Sequence, residues 1–313
     1  MRETARCFLL WSVILLGSYF GPAGVPGALP SGDAPSAPAA LPTPAAGDSQ
    51  APACDLPPHE NLNAVLWVQT SAEYRATALQ SYNIARQQLA VAIDDTKWSA
   101  LTEKPDGPFP DKQAIILDLD ETVLDNSPHQ AFLTRNQLNY SPSIWSQWVN
   151  SRAATALPGS LALVKDALQR NVAVFFVTNR NVSDKPATVE NLQAIGFEIC
   201  DLENHVLCSG QSDPDTSEKW TDDKTKRREY IGRKYRVLLL IGDQLGDFVA
   251  DPMDIARRAA VAEKYADYWG RKWICLANPM YGSYEQLLSG KSGIRSVAID
   301  RKYQSLRVWL PSQ

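Results

Sequence analysis

Two aspartates separated by one residue, Asp118 and Asp120, follow the short apolar run Ala114-Ile115-Ile116-Leu117 and open the stretch Asp118-Leu119-Asp120-Glu121-Thr122-Val123-Leu124-Asp125-Asn126. An apolar run that stops abruptly at carboxylates has the pattern of a buried parallel strand whose C-terminal end opens onto a site. Side chains alternate along a strand, so Asp118 and Asp120 share one direction while Leu119 points into the core. Like charges facing one small volume need a cation between them or a retained proton. Phosphoryl transfer through an aspartate uses both remedies. One carboxylate binds a divalent cation and attacks phosphorus, and the other carries a proton for the leaving group. A D-x-D pair alone is more often a solvated turn, so the surrounding elements must decide.

Those elements alternate between strands and helices. Asn61 to Asp95 carries apolar residues at three- and four-residue spacings and reads as one uninterrupted helix. A first strand is expected from about Gln113 to Asp118, and a second over Val172-Ala173-Val174-Phe175-Phe176-Val177, ending in Thr178-Asn179-Arg180. Between them, Ser127 to Ala156 is aromatic-rich and suits a small helical cap, and Pro158-Gly159 begins a helix with proline in its first turn. A helix from about Lys185 closes at Gly196, and Val206-Leu207 fits a short strand. Asp222 to Lys234 reads as a charged helix carrying Lys224 and Lys226. The most apolar strand, Arg236 to Ile241, ends in Gly242-Asp243-Gln244-Leu245-Gly246-Asp247-Phe248, and a last one, Trp273 to Ala277, ends in Asn278-Pro279-Met280-Tyr281-Gly282.

This alternation predicts an α/β fold, a mostly parallel Rossmann-like sheet flanked by helices. Ligands in such sheets bind beyond the carboxyl ends of the strands. Asp118/Asp120, Thr178/Asn179/Arg180, Asp243/Asp247 and Asn278/Tyr281 would then converge, with Lys224 nearby. That set offers acids for a hard cation, a hydroxyl and an amide for phosphate oxygens, and a cation for developing negative charge.

In this order and at these strand ends, the motifs resemble the haloacid dehalogenase-like phosphatases. More narrowly, D-L-D-E-T-V-L-D-N, F-F-V-T-N-R and G-D-Q-L-G-D-F resemble the class C bacterial acid phosphatases with four signature aspartates, a group that includes outer-membrane lipoprotein 5′-nucleotidases. A-V-L-W-V-Q-T-S-A-E-Y is similar to that family's leading helix, so the resemblance runs from about Asn61 to the C-terminal region. It implies Asp118 as nucleophile and Mg²⁺ ligand, and Asp120 as the acid and base whose backbone carbonyl also ligates the metal. It further implies Asp243 as direct metal ligand, Asp247 as orienter of the metal's water shell, and Thr178 and Asn179, with Arg180, as substrate contacts. Lys224 would neutralise charge between nucleophile and phosphate; the family's K-[S/T]-x-R spacing fits Lys224-Thr225-Lys226-Arg227, but Lys226 lies two residues away and the choice stays open. Relatives often have Asn where Gln244 stands. Among His129, Phe132, Trp145, Trp148 and Tyr281, any of which could stack on a base or build the cap's own core, Tyr281 is the preferred base contact.

The expected activity is hydrolysis of small phosphomonoesters, nucleoside 5′-monophosphates among them, through an aspartyl-phosphate. A phosphotransferase of the same superfamily and a non-catalytic metal-dependent binding protein are the alternatives. A net charge of -4 gives no basic footprint for a nucleic acid polymer. Residues 1–28 combine Arg2 and Arg6, a short apolar run and a small-residue exit, the pattern of a secretory signal too short to span a bilayer comfortably. Residues 29–58 are rich in Pro and Ala and read as a flexible tether, leaving 59–313 as the phosphatase domain with its cap at about 127–156. Export to the periplasm or medium is expected, without a stable membrane span after cleavage. A lipid anchor is not, because Cys7 precedes the apolar run and Cys54 lies far beyond it. Four cysteines follow the signal, with Cys200 and Cys208 the expected pair, and a homo-oligomer is compatible with the sequence.

Overall fold

The computed structural model describes residues 58–290 and 294–309. The expected signal, most of the tether and Cys54 lie outside the described residues. Among those described, no helix is long and apolar enough to cross a membrane.

The strands are β1 (Gln113–Leu117), β2 (Leu124–Asp125), β3 (Thr155–Ala156), β4 (Ala173–Asn181), β5 (Val206–Ser209), β6 (Arg236–Gly242) and β7 (Trp273–Cys275). Five of them form a parallel sheet in the order β5-β4-β1-β6-β7. The chain leaves central β1, builds β4 and β5 on one side, then returns to build β6 and β7 on the other. β1 is therefore the topological switch point, where connections diverge and leave a crevice at the strand's carboxyl end. Asp118 is the first residue beyond that end.

Burial on both faces explains why the strands are continuously apolar. Ile115 and Leu117 face one layer, packed with Tyr82, Leu89, Leu163 and Leu192 from the helices Ala72–Asp94, Ser160–Gln169 and Lys185–Ala194. Ala114 and Ile116 face the other, with Leu101, Trp220, Ile231 and Phe248. Every residue of β6 is buried. Its first, Arg236, donates to the carbonyls of Ala92 (3.2 Å) and Ile93 (3.0 Å), satisfying the C-terminal end of the helix Ala72–Asp94 with a cation.

Several boundaries differ from the sequence expectation for local reasons. The single N-terminal helix is two, Leu62–Thr70 and Ala72–Asp94. Ser71 stands between them in extended conformation, and its hydroxyl accepts from the Tyr74 amide at 3.0 Å, so it starts a new helix. Pro158 lies outside the helix Ser160–Gln169, whose N-cap is Gly159 at φ +96°, with a Cβ there only 2.8 Å from Tyr82 Cβ. Lys224 is the N-cap of the helix Thr225–Lys234 instead of lying within it. β4 runs on through Thr178-Asn179-Arg180, so these residues continue a strand. The C-terminal part adds helices Ile255–Lys264, Ser283–Ser289 and Arg295–Gln304, which periodicity did not reveal. Cys208 is a free, buried thiol on β5, so the expected Cys200–Cys208 disulfide is not formed. Its side chain packs within the apolar layer under β5, away from the turn that carries Cys200.

The segment expected as a cap holds two helices, Ser127–Arg135 and Pro142–Ser151, rooted on the antiparallel ribbon of β2 and β3. Leu239, fully buried in the middle of β6, tests the core. Leu239→Ala should cost about 2–5 kcal/mol in urea denaturation, whereas Leu79→Ala, on a half-exposed helix face, should cost well under half of that.

Candidate active site

The carboxyl edge of the sheet collects the residues that the strands end on. Beyond β1 the chain turns tightly: the amides of Val123 and Leu124 both donate to Leu119 O at 2.8 Å, and Glu121 sits at φ +58°. Tyr82, from the helix beneath, donates its hydroxyl to Thr122 O at 2.5 Å and props the turn. Leu119 is fully buried, so Asp118 and Asp120 emerge together into one cavity of about 1080 Å³.

The two carboxylates are neutralised by different cations. Asp118 is 7 % exposed and accepts from Lys224 Nζ, which also donates to Asp247 Oδ1 at 2.6 Å. Asp120 receives Arg180: Nη2 reaches Oδ1 at 2.7 Å, and Nε lies 3.0 and 3.2 Å from the two oxygens. Asn126 Nδ2 donates to the same Oδ1 at 2.9 Å, which leaves Oδ2 with only the longer bonds from Nε and Thr178 Oγ1 (3.4 Å). Arg180 is expected from sequence to touch substrate. It lines the cavity, and its guanidinium also faces Asp120, Asn126 (3.4 Å) and Thr188 (3.2 Å) beneath the ring of Trp145, 5.6 Å away. A fork so occupied holds a carboxylate in place more readily than it binds a second anion.

β6 supplies the third corner. Asp243 accepts from Asn278 Nδ2 at 2.8 Å, and Thr122 Oγ1 lies 3.5 Å from its other oxygen. Asp247 Oδ2 accepts from the Gln244 amide at 2.9 Å, closing a capping box that fixes the carboxylate at the start of a short 3₁₀ turn. That position requires Gly242, since a Cβ there would lie 2.2 Å from Asp247 Oδ2. The Gln244 side chain lines the cavity and accepts from the Ser283 amide at 3.2 Å.

One ligand oxygen from each of Asp118, Asp243 and Asp247 lies within 4.8 Å of the others, a grouping able to hold a metal ion among the described residues. Lys224 alone cannot balance three acids. Burial drives the Asp118 carboxyl up to about 7 despite Lys224, with Asp247 and Asp120 adding to the rise. Burial and the charges of Asp247 and Asp118 likewise push Asp243 well above the usual carboxylate range. An all-oxygen cluster short of positive charge has the chemistry of a site for a hard divalent cation.

The remaining expected residues surround this centre. Of the two lysines left open, Lys224 is buried on the acids, and Lys226 is exposed and pairs with Glu229 at 3.2 Å. Asn179 reaches the cavity, and its Oδ1 accepts from Arg227 Nη2 at 2.8 Å, leaving the amide NH₂ as the group to donate. Thr178 is fully buried behind Asp120. Tyr281 and Trp145 line the cavity. Trp148 instead donates Nε1 to Asn126 Oδ1 at 2.7 Å, and Phe132 is half-exposed. His129 is buried edge-on to Trp145, 5.1 Å between centroids, with both ring nitrogens unpartnered, and burial lowers it to about 4.

Asn126 and Arg228 have functions that motif reading did not assign. Asn126 joins the cap, through Trp148, to Asp120 and Arg180. Arg228, fully buried, donates to Gly246 O (3.0 Å) and Asp247 O (3.3 Å) while paired with Glu103 at 2.7 Å, and so anchors the loop that carries Asp247. Asn126 belongs to the quoted acidic motif, but the distant Glu103 carried no signal.

The model of the HAD superfamily, subfamily IIIB (acid phosphatase) matches residues 41–284. Among solved structures, the class C acid phosphatase from Bacillus anthracis is 31 % identical, covering 80 % of this chain and 97 % of that one, with a TM-score of 0.68. The same enzyme with tungstate bound superposes at a TM-score of 0.67, 32 % identity and the same coverage. Curated relatives include acid phosphatase 1 of Solanum lycopersicum, 29 % identical over 138 residues, 44 % of this chain and 52 % of that protein. Vegetative storage protein 1 of Arabidopsis thaliana is also 29 % identical over 138 residues, 44 % of this chain and 49 % of that one. The chain thus spans about half the length of the curated relatives it matches. With the sheet order, the acid cluster at its switch point and a family match over most of its length, the chain belongs to the HAD superfamily, subfamily IIIB acid phosphatase family.

Proposed function

We propose that this chain is an exported, Mg²⁺-dependent acid phosphatase that hydrolyses small phosphomonoesters, nucleoside 5′-monophosphates included, through an aspartyl-phosphate on Asp118. The observation that carries this reading is the meeting of Asp118, Asp243 and Asp247 at one point with Lys224 between two of them. The bound tungstate named for the similar Bacillus anthracis enzyme, a tetrahedral oxyanion, is consistent with phosphoryl-group recognition by this fold.

Asp118, Asp243 and Asp247, with the backbone carbonyl of Asp120, would hold Mg²⁺. When bound, the cation supplies charge neutralisation for the phosphoryl oxygens and for the cluster itself. Lys224 steadies Asp118 for attack on phosphorus, Asn179 donates to the phosphoryl oxygens, and Thr178 supports Asp120 from behind. Asp120, oriented by Arg180 and Asn126, delivers a proton from Oδ2 to the leaving alkoxide. It then takes a proton from the water that cleaves the intermediate. Tyr281 lies on the cavity wall with its ring available to a base.

Asp118→Asn should remove phosphate release from p-nitrophenyl phosphate by about a thousandfold or more, and EDTA should abolish it until Mg²⁺ is restored. An active variant or indifference to EDTA would overturn the mechanism. Tyr281→Ala should raise KM for nucleoside monophosphates about tenfold while changing that for a small alkyl phosphate far less; equal effects would remove the stacking role.

Metal-free protein offers an independent test. In the folded chain the Asp118 carboxyl, up at about 7, keeps its proton over an interval in which an unfolded aspartate, near its ordinary value of about 4, has lost it. The native state then binds more protons, so this group makes stability fall as pH rises from about 4 to about 7. The melting temperature of metal-free wild type relative to Asp118→Asn should decline over that window. Saturating Mg²⁺ should flatten the decline. No slope difference between the two proteins would show that the acids are not crowded.

A further inference from the structure

The cavity that starts at Asp118 is larger than phosphate recognition needs. At about 1080 Å³ it sits at the upper end of small-molecule sites, roughly 300–1,000 Å³, and part of its wall is lined by Glu60, Arg295 and Lys302. Arg295 and Lys302 belong to the helix Arg295–Gln304, which lies C-terminal to the segment matched by the family model.

At that wall one guanidinium gathers three distant parts of the chain. Arg295 donates Nε and Nη2 to Glu60 Oε2 at 3.0 and 2.5 Å and Nη1 to Gln137 Oε1 at 2.9 Å. Glu60 begins the N-terminal helical segment, and Gln137 lies in the cap between its two helices. Lys302, two turns further along the same face of the helix, pairs with Glu285 at 2.5 Å and lies 3.9 Å from Glu60. The helix is also seated on its predecessor: Arg301 Nη1 donates to Ser289 O at 3.1 Å and passes so close to Gly290 that a Cβ there would meet it at 1.9 Å. Arg295 and Lys302 are thus spent on neighbouring acids and make a wall instead of an anion site. Single exposed ion pairs hold little, but a shared acid and a fork bridging two segments make a network.

We propose that the helix Arg295–Gln304, clamped through Arg295 to Glu60 and Gln137, is the end wall of the substrate cleft and sets the upper size of the leaving group. Phosphomonoesters up to about nucleoside size fit between the acids and this wall, and a phosphorylated polymer whose chain runs into it is turned away. This inference rests on the phosphatase reading above.

The test compares full-length wild type with the variant Arg295→Ala/Lys302→Ala on p-nitrophenyl phosphate and on a 5′-phosphorylated single-stranded oligonucleotide. The variant should keep kcat/KM for p-nitrophenyl phosphate within about twofold and raise that for the oligonucleotide about tenfold or more. Glu60→Gln, which loosens the clamp without emptying space, should move the oligonucleotide rate in the same direction and serves if the double variant does not fold. An unchanged ratio of the two rates in a folded variant overturns the wall. So does a parallel loss of both rates, which would make the helix a support of the catalytic centre. Absence of p-nitrophenyl phosphate turnover in wild type would instead overturn the phosphatase reading, and this inference with it.

Discussion

The constraint on which the structure depends is the repulsion among four carboxylates brought to one edge of a sheet and largely shielded from water. Asp118, Asp120, Asp243 and Asp247 could not share that volume without compensation, because removing water multiplies the cost of unpaired like charge. The chain answers with two cations from different places. Lys224, at the N-cap of one helix, lies between Asp118 and Asp247. Arg180, at the extension of β4, takes Asp120. The remaining deficit, seen in the raised Asp118 and Asp243 carboxyls, has the sign and chemistry of a divalent cation site.

Much of the scaffold is arranged to hold these charges at fixed spacing. Tyr82 props the turn after β1, Gly242 clears space for Asp247, and Arg228 ties the loop of Asp247 to Glu103. The cap enters the same network through Trp148 and Asn126, so cap position and Asp120 orientation are mechanically linked. Neighbouring arginines on one helix divide the labour. Arg227 holds the end of β4 through Thr178 O and Asn179, and Arg228 holds the loop after β6. One short helix thereby spaces two strand ends.

The cavity draws its walls from beyond the sheet. The cap provides Trp145 and Tyr140, the N-terminal segment provides Glu60, and the last helices provide Glu285, Arg295 and Lys302. The reacting edge is built from strand ends shared with the family, whereas the shape of the space in front of it is built from loops and helices that carry no motif.

The sequence by itself determined the alternation of apolar strands and amphipathic helices, the place of Asp118 at the end of the first strand, and the order of the polar motifs. Each depends on local periodicity or on residues adjacent in the chain, and the parallel sheet and the convergence of Asp118, Asp243 and Asp247 follow from those patterns with the general rule for such sheets. Tertiary structure decided what depends on distance through space. It assigned Lys224 rather than Lys226 to the acids, because only the N-cap position points into the site. It turned Arg180 toward Asp120, left Cys208 unpaired in an apolar layer, and broke the first helix where the Ser71 hydroxyl outcompeted a continuous helix for the Tyr74 amide. The Arg295 clamp on Glu60 and Gln137 left no trace in periodicity or motif, since it joins residues 235 and 158 positions apart on surfaces that read as ordinary solvated charge.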